Sequence, residues 1–247
     1  RGIVEGNGNP PGNDMWLTYS MNKEDMWVSR VPLPIRYKVE GIVNDDFNNL
    51  ETGGAVTDWN IYAPKWSPVE VVDFPSKSNK SILLKDKDPY DYARAIRVFE
   101  ESEKAEIKVK IFAKQTENGI FEVDVTDRYG NRPVRICFDE DGKIKAFDGS
   151  KEVVLQAYNP NTWYELKIEI DAQPYGSFSI SVDGKEKLKN AQLAETVKSV
   201  ERISFRTGTY RDLPNRKTPN EDPAPPLPGA DEEVEMAQFY VDDLSVR

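Results

Sequence analysis

Three acidic residues, Glu122, Asp124 and Asp127, are the sharpest candidates for chemistry in this sequence. Histidine is absent from the chain, which excludes Ser-His-Asp and Cys-His catalysis, histidine metal ligands and histidine acid–base steps. Any reaction would therefore have to use carboxylates, tyrosine, lysine or arginine. The alternative interpretation, which we favour, is that these carboxylates are ordinary surface charge on a strand.

Aromatic and arginine side chains form a second candidate site, in a region that has little regular pattern. Sugars present flat C–H faces that stack on aromatic rings, and arginine binds hydroxyls or carboxylates through paired hydrogen bonds. A buried aromatic core is the alternative, and we expect it for Trp59 and Trp163. Trp66, which lies between two prolines, is expected to be exposed. The predicted glycan-binding residues are Trp66, Tyr90, Tyr92, Arg94, Arg97, Arg135 and Tyr210.

Aspartates near both ends of the main block form a candidate metal site. Asp45 and Asp46 come early and Asp243 comes late, so they meet only if the first and last strands are neighbours. Calcium takes about six to eight oxygen ligands, which carboxylates and carbonyls from two strand ends could supply. Acidic strand ends without a metal are an equally good interpretation. The single cysteine, Cys137, excludes an internal disulfide and a cysteine-cluster zinc site, and we expect it to be a packed small residue.

These side chains must be positioned by β-strands, because short alternating runs of apolar and polar residues recur and helical periodicity is nearly absent. Turns that contain glycine, such as "ENG", "RYGN", "DEDG" and "VDGK", separate the runs. Only Leu188–Ser199 suggests a helical turn. The sequence therefore predicts an all-β sandwich or barrel. Its predicted strands are Arg94–Phe99, Glu106–Ala113, Phe121–Val125, Val134–Phe138, Lys143–Phe147, Val153–Tyr158, Trp163–Ile170, Ser177–Val182, Arg202–Arg206 and Ala237–Val246.

The alternation also assigns the two faces of these strands. An outer face lined by charge could hold a glycan, or it could be a solvated surface with cross-strand ion pairs. The residues expected to point inward are Ile107, Val109, Ile111, Phe121, Val123, Val125, Val134, Ile136, Phe138, Leu166, Ile168, Ile170, Phe178, Ile180 and Val182. The residues expected to line the outer faces are Lys108, Lys110, Glu122, Asp124, Arg135, Lys167 and Glu169.

The N-terminal part has its own pattern. Met15–Ser20 and Met26–Arg30 alternate bulky apolar with polar residues around a polar turn, which predicts a β-hairpin. The following "VPLPI", Val31–Ile35, suits a stiff linker. Residues 212–233 are rich in proline and charge, which predicts a long exposed loop. We therefore predict a hairpin and linker over residues 1–35, and a β-sandwich over residues 36–247 with a Pro-rich loop at 212–233.

The net charge and the length of the apolar runs limit the kinds of partner that the chain can have. Its net charge of -10 argues against a nucleic-acid partner, whose phosphates require a basic surface. No apolar run approaches the roughly 20 residues needed to span a bilayer. The sequence begins without an initiator methionine or a signal peptide, so we expect a mature product or a piece of a longer protein.

The ends of the main block resemble a known fold family. "NDDF" at Asn44–Phe47 and "FYVDDLSV" at Phe239–Val246 are similar to the first and last strands of concanavalin A-like (laminin G-like) jelly rolls, which are attached to bacterial glycan-degrading enzymes. "TWYELKIEID", Thr162–Asp171, resembles a central strand of that fold. The resemblance implies a two-sheet antiparallel β-sandwich over residues 42–247. It also implies a structural Ca²⁺ near Asp45, Asp46 and Asp243.

The hairpin carries a second resemblance. "MWLTYSMNKEDMWVSRVPLP", Met15–Pro34, resembles the last strands of a sialidase-like β-propeller of the BNR-repeat kind, found in secreted glycan-active proteins. The resemblance implies that the hairpin is the end of a propeller and that an N-terminal propeller domain is a missing partner. It also implies a secreted, periplasmic or cell-surface location. An ordinary extra hairpin of a single domain is the alternative.

Two enzyme families resemble parts of the sequence less completely. Glu122, Asp124 and Asp127 are similar to the E-x-D-x-x-E signature of jelly-roll endoglucanases, but the third position is an aspartate in a turn. Jelly-roll polysaccharide lyases use a tyrosine, an arginine and usually a histidine or glutamine; Tyr129 and Arg135 are present, but histidine is not. We therefore expect a non-catalytic carbohydrate-binding or structural accessory module of a secreted bacterial polysaccharide-degrading protein, with a polysaccharide or oligosaccharide as its partner. The alternatives are a glycoside hydrolase or polysaccharide lyase, and a purely structural interdomain module.

Overall fold

The computed structural model describes residues 2–3, 14–21, 25–32, 39–173, 175–208, 229 and 231–247. The chain divides into two units, one formed by residues 1–39 and 210–228 and the other by residues 40–209 and 229–247. All regular elements of the described residues are β-strands. The predicted domain boundary at residue 35 stays a prediction.

The first unit contains the predicted hairpin. Strand β1 is Gly2–Ile3, β2 is Asp14–Met21 and β3 is Asp25–Pro32, and they form one antiparallel sheet in that order. The prediction of two strands here is confirmed. The predicted linker begins inside β3, since Val31 and Pro32 belong to that strand. Residues 33–35 of the linker and residues 212–228 of the Pro-rich loop lie outside the described residues.

The second unit is a sandwich of two antiparallel sheets, as predicted. The seven-stranded sheet has the order β13-β12-β11-β10-β17-β8-β5. Its strands are β5 Trp59–Tyr62, β8 Arg94–Ser102, β10 Phe121–Thr126, β11 Val134–Asp139, β12 Lys143–Asp148, β13 Lys151–Ala157 and β17 Val200–Thr207. The eight-stranded sheet has the order β16-β15-β14-β9-β18-β7-β6, with β4 paired to β18. Its strands are β4 Val43–Asp45, β6 Val69–Ser76, β7 Asn79–Asp86, β9 Lys104–Ala113, β14 Thr162–Asp171, β15 Ser177–Val182, β16 Lys185–Gln192 and β18 Ala237–Val246.

The core lies between the two sheets and follows the predicted alternation. Every residue expected to point inward is at most 4% exposed, so the predicted inward face of these strands is confirmed. Burying each such side chain contributes about 1.5–3 kcal/mol. Turn chemistry supports the same register: Asp183 and Gly184 both have positive φ between β15 and β16, which is the backbone that a two-residue hairpin turn requires.

The first and last strands of the sandwich are neighbours, as the "DDF" and "VDDL" segments predict. Asp45 on β4 lies opposite Leu244 on β18, and Val43 lies opposite Val246. The ladder between β18 and β9 is irregular between Asp242 and Ser245. This register brings the aspartates of the two strand ends to the same edge of the unit.

Two sequence-based expectations about the sandwich are wrong. Leu188–Ser199 contains no helical turn; its first part belongs to β16, which pairs with β15 in the eight-stranded sheet. Asp124 does point to the outer face of its sheet, but it is 1% exposed rather than solvated. The guanidinium group of Arg132 lies 3.7 Å from its carboxylate, as described below.

Candidate functional site

The outer face of the seven-stranded sheet carries a row of polar side chains. Tyr62 lies opposite Arg94, and Arg94 lies opposite Arg206. On the next strands, Arg206 lies opposite Glu122, and Glu122 lies opposite Cys137. Directly opposed residues of antiparallel strands share a face, so this row crosses five adjacent strands. The structure therefore brings predicted residues of two candidate sites, Arg94 and Glu122, onto one surface.

Tyrosine rings and guanidinium groups are in contact at one end of this row. The rings of Tyr62 and Tyr92 are 5.1 Å apart between centroids. Cζ of Arg94 lies 5.9 Å from each of the two centroids, and Cζ of Arg206 lies 3.9 Å from that of Tyr92. These are cation–π distances. We call Tyr62, Tyr92, Arg94 and Arg206 the tyrosine–arginine cluster.

A short loop before β8 positions the cluster. Oδ1 of Asp88 accepts hydrogen bonds from the backbone N–H groups of Tyr90 at 2.9 Å and Asp91 at 2.6 Å. The hydroxyl of Tyr62 donates to Oδ2 of Asp91 at 2.9 Å. Aspartate side chains that bind nearby backbone groups in this way fix tight turns. The loop thereby sets where Tyr92 enters β8.

A network of arginines and carboxylates continues the face next to the cluster. One terminal nitrogen of Arg132 lies 3.7 Å from a carboxylate oxygen of Glu122 and 3.7 Å from one of Asp124. Cζ of Arg135 lies 4.3 Å from the ring centroid of Phe147. Burial raises the pKa of the Glu122 carboxyl although the neighbouring arginines oppose the shift. The face is therefore polar but poorly hydrated, which strengthens any hydrogen bond that forms there.

Some hydrogen-bonding atoms of this face are unused. Among the described residues, Oε2 of Glu122, Nε of Arg135 and Oγ of Ser204 are buried without a hydrogen-bond partner. Buried polar atoms are usually hydrogen-bonded. Oε2 of Glu122 lies 3.7 Å from Arg132, and all three atoms are buried beneath the surface of this face.

The third acidic candidate has a different place. Oδ1 of Asp127 accepts from the backbone N–H groups of Tyr129 at 2.8 Å and Asn131 at 2.9 Å, and Oδ2 accepts from the Asn131 side chain at 2.7 Å. Both of its oxygens thus hold the turn after β10. The structure brings Glu122 and Asp124 together through Arg132 but leaves Asp127 in the turn.

Arg97 lies on the opposite side of β8 from Arg94. It is paired with Ile203 and Trp59, whose strands direct those residues to the core. Its Nε donates to Oδ2 of Asp45 at 2.7 Å, and Nε1 of Trp59 donates to the same oxygen at 2.9 Å. Arg97 therefore does not share a surface with the tyrosine–arginine cluster.

The predicted calcium ligands already have cationic or backbone partners. Asp45 binds Arg97, Asp243 pairs with Lys110 at 2.7 Å, and Asp46 accepts from the backbone of Asn48. In the described part of the chain, no group of three or more acidic or cysteine side chains is placed to hold a metal ion. This donor set does not fit Ca²⁺, whose coordination needs many free oxygens. The calcium site stays a prediction from sequence.

The other predicted aromatic residues are dispersed. Trp66 is half-buried in the turn before β6, where Nζ of Lys65 lies 4.7 Å from its ring centroid. Tyr90 is half-buried in the loop before β8. Tyr210 lies outside the described residues. Cys137 is on the outer face, as expected for the residue between the inward-pointing Ile136 and Phe138. Burial raises the pKa of its thiol well above the usual range.

Sequence reasoning missed an aromatic group on the outer face of the other sheet. Trp163, expected in the core, is half-buried on that outer face, where it contacts Phe112 and Phe74. Its neighbour Tyr164 is the residue that points to the core. The sequence contains this information, because Trp163 is separated from the charged residues Lys167 and Glu169 by even numbers of positions and so points to the same face of β14.

Comparisons with known proteins agree with this architecture. The model of the family described as "Sialidase-like, CBM domain" matches residues 59–222. A solved sialidase structure is 32% identical, with a TM-score of 0.88; the match covers 100% of this chain and 22% of the sialidase chain. This chain thus spans about a fifth of that relative. None of the curated proteins matches the chain.

More distant solved structures share the fold alone. An endo-beta-1,4-glucuronan lyase from the fungus Trichoderma reesei is 13% identical, with a TM-score of 0.52 over 79% of this chain and 93% of the lyase. The transglycosylase Crh5 is 12% identical, with a TM-score of 0.55 over 85% of this chain and 86% of its own. None of the described segments forms a helix with the length and apolar character that crossing a bilayer requires. By its family match, this chain belongs to the sialidase-like CBM domains, a family of carbohydrate-binding modules.

Proposed function

We propose that this chain is a carbohydrate-binding accessory module of a secreted protein that acts on glycans, and that the tyrosine–arginine cluster is its binding surface. The observation that carries the proposal is the position of Arg94 beside the half-buried rings of Tyr62 and Tyr92, with the buried Arg206 packed 3.9 Å from the Tyr92 centroid. It occurs on a sheet face of a chain whose family consists of carbohydrate-binding modules.

The chemistry of the cluster favours a sugar that carries a carboxylate. A guanidinium group is planar and matches a carboxylate with two parallel hydrogen bonds. The half-buried rings of Tyr62 and Tyr92 offer apolar area for the C–H face of the same sugar. The ligand class is therefore uronate-containing or similarly acidic glycans.

Bond cleavage is not part of the proposal. A catalytic carboxylate pair would need both groups free to reach the substrate, whereas Asp127 is held in its turn and Glu122 lies beside Arg132. The sialidase relative is much longer than this chain. In keeping with that difference, we place the catalytic function of the whole protein in another domain, such as the propeller that the hairpin resembles.

The proposal is tested by affinity gel electrophoresis of the chain through gels that contain polygalacturonate, alginate, sialylated mucin, galactomannan or hydroxyethylcellulose. We expect retardation by at least one of the acidic polymers. Variants Tyr92→Ala and Arg94→Ala should migrate freely in that gel. Tyr129→Ala, which removes an 84% exposed tyrosine away from the cluster, should migrate like the wild type. The proposal fails if none of the polymers retards the wild-type chain.

A further inference from the structure

The outer face of the eight-stranded sheet carries an unassigned row of large apolar side chains. Trp163 on β14 lies opposite Phe112 on β9, and Phe112 lies opposite Tyr240 on β18. Tyr240 in turn lies opposite Leu83 on β7. Four adjacent strands spaced ~4.8 Å apart place this row over about 14 Å of the sheet. Phe74, from β6 at the edge, contacts the row as well.

The rings of this row pack against one another, with Phe112 edge-on to Phe74 and to Tyr240. Phe74 lies between the others, with its centroid 4.3 Å from that of Tyr240, 4.9 Å from Phe112 and 5.9 Å from Trp163. Its plane is inclined by 36° to Tyr240 and by 30° to Trp163. Phe112 is 6% exposed, while the other three rings are half-buried. We call Phe74, Phe112, Trp163 and Tyr240 the aromatic platform.

The surroundings of the platform are charged and hydrated. Lys110 and Asp243 form an ion pair at 2.7 Å whose side chains are each 42% exposed. Lys85 and Glu70 form a second ion pair at 3.0 Å, and Glu70 lies directly opposite Leu83 on the neighbouring strand. Among the described residues, no lysine or arginine stacks on the four platform rings. The platform is thus an apolar island without a cation of its own.

We propose that the aromatic platform is a second carbohydrate-binding surface, which takes uncharged pyranose sugars. The proposal rests on the proposed function, since it assumes that the module binds glycans. Phe74 packs over Tyr240, and the rings of Phe74, Trp163 and Tyr240 each keep part of their surface exposed, on which the C–H faces of a sugar can stack. Lys110 and Asp243 at the rim can donate to and accept from sugar hydroxyls without losing contact with water.

A protein partner fits this surface less well. A stable protein interface buries about 800 Å² on each side with a dry centre, whereas this row is one ring wide on a charged face. Covering it with protein would also desolvate the neighbouring Lys110–Asp243 pair, and the loss of hydration offsets much of the attraction in a buried ion pair. A sugar chain, which brings its own hydroxyls, avoids that cost.

The two surfaces lie on opposite outer faces of one sandwich, because the platform belongs to the eight-stranded sheet and the tyrosine–arginine cluster to the seven-stranded sheet. The module would then take an acidic stretch of glycan on one side and a neutral stretch on the other. Two weak sites on one rigid body give a higher combined affinity for a polymer than either gives alone.

The test is isothermal titration of the full chain with galactomannan and with hydroxyethylcellulose, both uncharged. We expect Trp163→Ala and Phe74→Ala to weaken binding of these polymers about tenfold. Tyr129→Ala, which lies outside both surfaces, should leave it unchanged. Trp163→Leu keeps apolar volume without a flat ring, so it should bind as poorly as Trp163→Ala while its thermal denaturation remains close to that of the wild type.

The outcomes separate the two proposals. Binding of an acidic polymer together with no binding of either neutral polymer overturns the platform and leaves the tyrosine–arginine cluster in place. Neutral-polymer binding that survives Trp163→Leu and Phe74→Ala also overturns it, as does self-association of the chain that these variants abolish. Failure to bind any glycan, acidic or neutral, overturns both proposals.

Discussion

Nε of Arg97 lies 2.7 Å from Oδ2 of Asp45 and joins the two sheets of the sandwich, since Arg97 belongs to β8 of one sheet and Asp45 to β4 of the other. The two side chains are 12% and 21% exposed. The indole N–H of Trp59 donates to the same carboxylate oxygen. Arg97 was predicted from sequence to bind glycan and Asp45 to bind calcium, but here they bind each other.

Removing the charge of Asp45 should therefore reduce stability rather than glycan affinity. We expect Asp45→Asn to lower the free energy of unfolding by about 1.5–3 kcal/mol, because a partly buried charge-assisted hydrogen bond is lost. Urea denaturation measures this change. The matched control is Asp243→Asn, which removes an exposed ion pair with Lys110 and should cost less than about 1 kcal/mol. Equal losses in both variants would contradict the structural role of the Arg97–Asp45 pair.

Calcium should have little effect on this unit, because two of its predicted ligands, Asp45 and Asp243, are already paired with Arg97 and Lys110. We expect the melting temperature to be the same in calcium and in excess EDTA. Differential scanning calorimetry checks this expectation. A melting temperature that falls with EDTA and recovers with calcium would show that the metal stabilises the native state, and would restore the site predicted from the sequence.

Most of the sandwich could be predicted because its central strands have two chemically different faces. Ile107, Val109 and Ile111 alternate with lysines, and such a pattern is compatible with one register only. The edge strand β16, Lys185–Gln192, has mostly polar residues on both sides, so no alternation marks it. Strand β7, Asn79–Asp86, has three consecutive buried apolar residues, Ile82, Leu83 and Leu84, between polar ends, so no alternation marks it either. Tertiary pairing, rather than local propensity, makes these two segments strands.

Stability should depend on pH through Asp242, a 2% exposed residue of β18. Burial raises the pKa of its carboxyl to about 7 from an ordinary value of 3.8. The folded state therefore holds a proton that the unfolded state releases, so the free energy of unfolding falls as the pH rises from about 4 to about 7. The contribution is fully present below this window and is lost above it.

Asp242→Asn should remove this part of the pH dependence and stabilise the protein at pH 8. The asparagine keeps a side-chain oxygen that can accept the hydrogen bond from the backbone of Asp243. Urea denaturation at pH 5 and pH 8 measures the difference between wild type and variant. Asp231→Asn, at an exposed position before β18, is the control and should keep the slope of the wild type. The same slope in Asp242→Asn would contradict the assignment.

The candidate surfaces were only partly predictable. Tyr92 and Arg94 are two positions apart in the sequence and do lie together, and their role in glycan binding stays a prediction. The sequence does not show that Arg94 and Arg97 point to different faces of β8. In "RAIRVF" apolar residues point to both faces, and only the pairing with the neighbouring strands decides which face is buried. Trp163 could have been assigned to an outer face, because it shares the alternation of the charged residues of β14. Phe74 could not, because its contact with β14 depends on how the edge strand β6 crosses the sheet.

Glu122 should have no catalytic role. We expect the wild-type chain to release neither reducing ends nor unsaturated products from neutral, uronate-containing or sulfated polysaccharides, since Asp127 is occupied in its turn. Reducing-sugar and absorbance assays check this. Turnover by the wild type that disappears in Glu122→Gln, while the variant keeps its thermal stability, would show that the chain is an enzyme.

The central claim is that the tyrosine–arginine cluster binds an acidic glycan. The most direct measurement is isothermal titration with oligogalacturonate, or with whichever acidic polymer retards the chain in gels, for the wild type, Tyr92→Ala, Arg94→Ala and Tyr129→Ala. We predict that the first two variants lose at least about tenfold in affinity, because each removes a stacked ring or a charge-assisted hydrogen bond, and that Tyr129→Ala binds like the wild type. Wild-type affinity in both Tyr92→Ala and Arg94→Ala would contradict the claim.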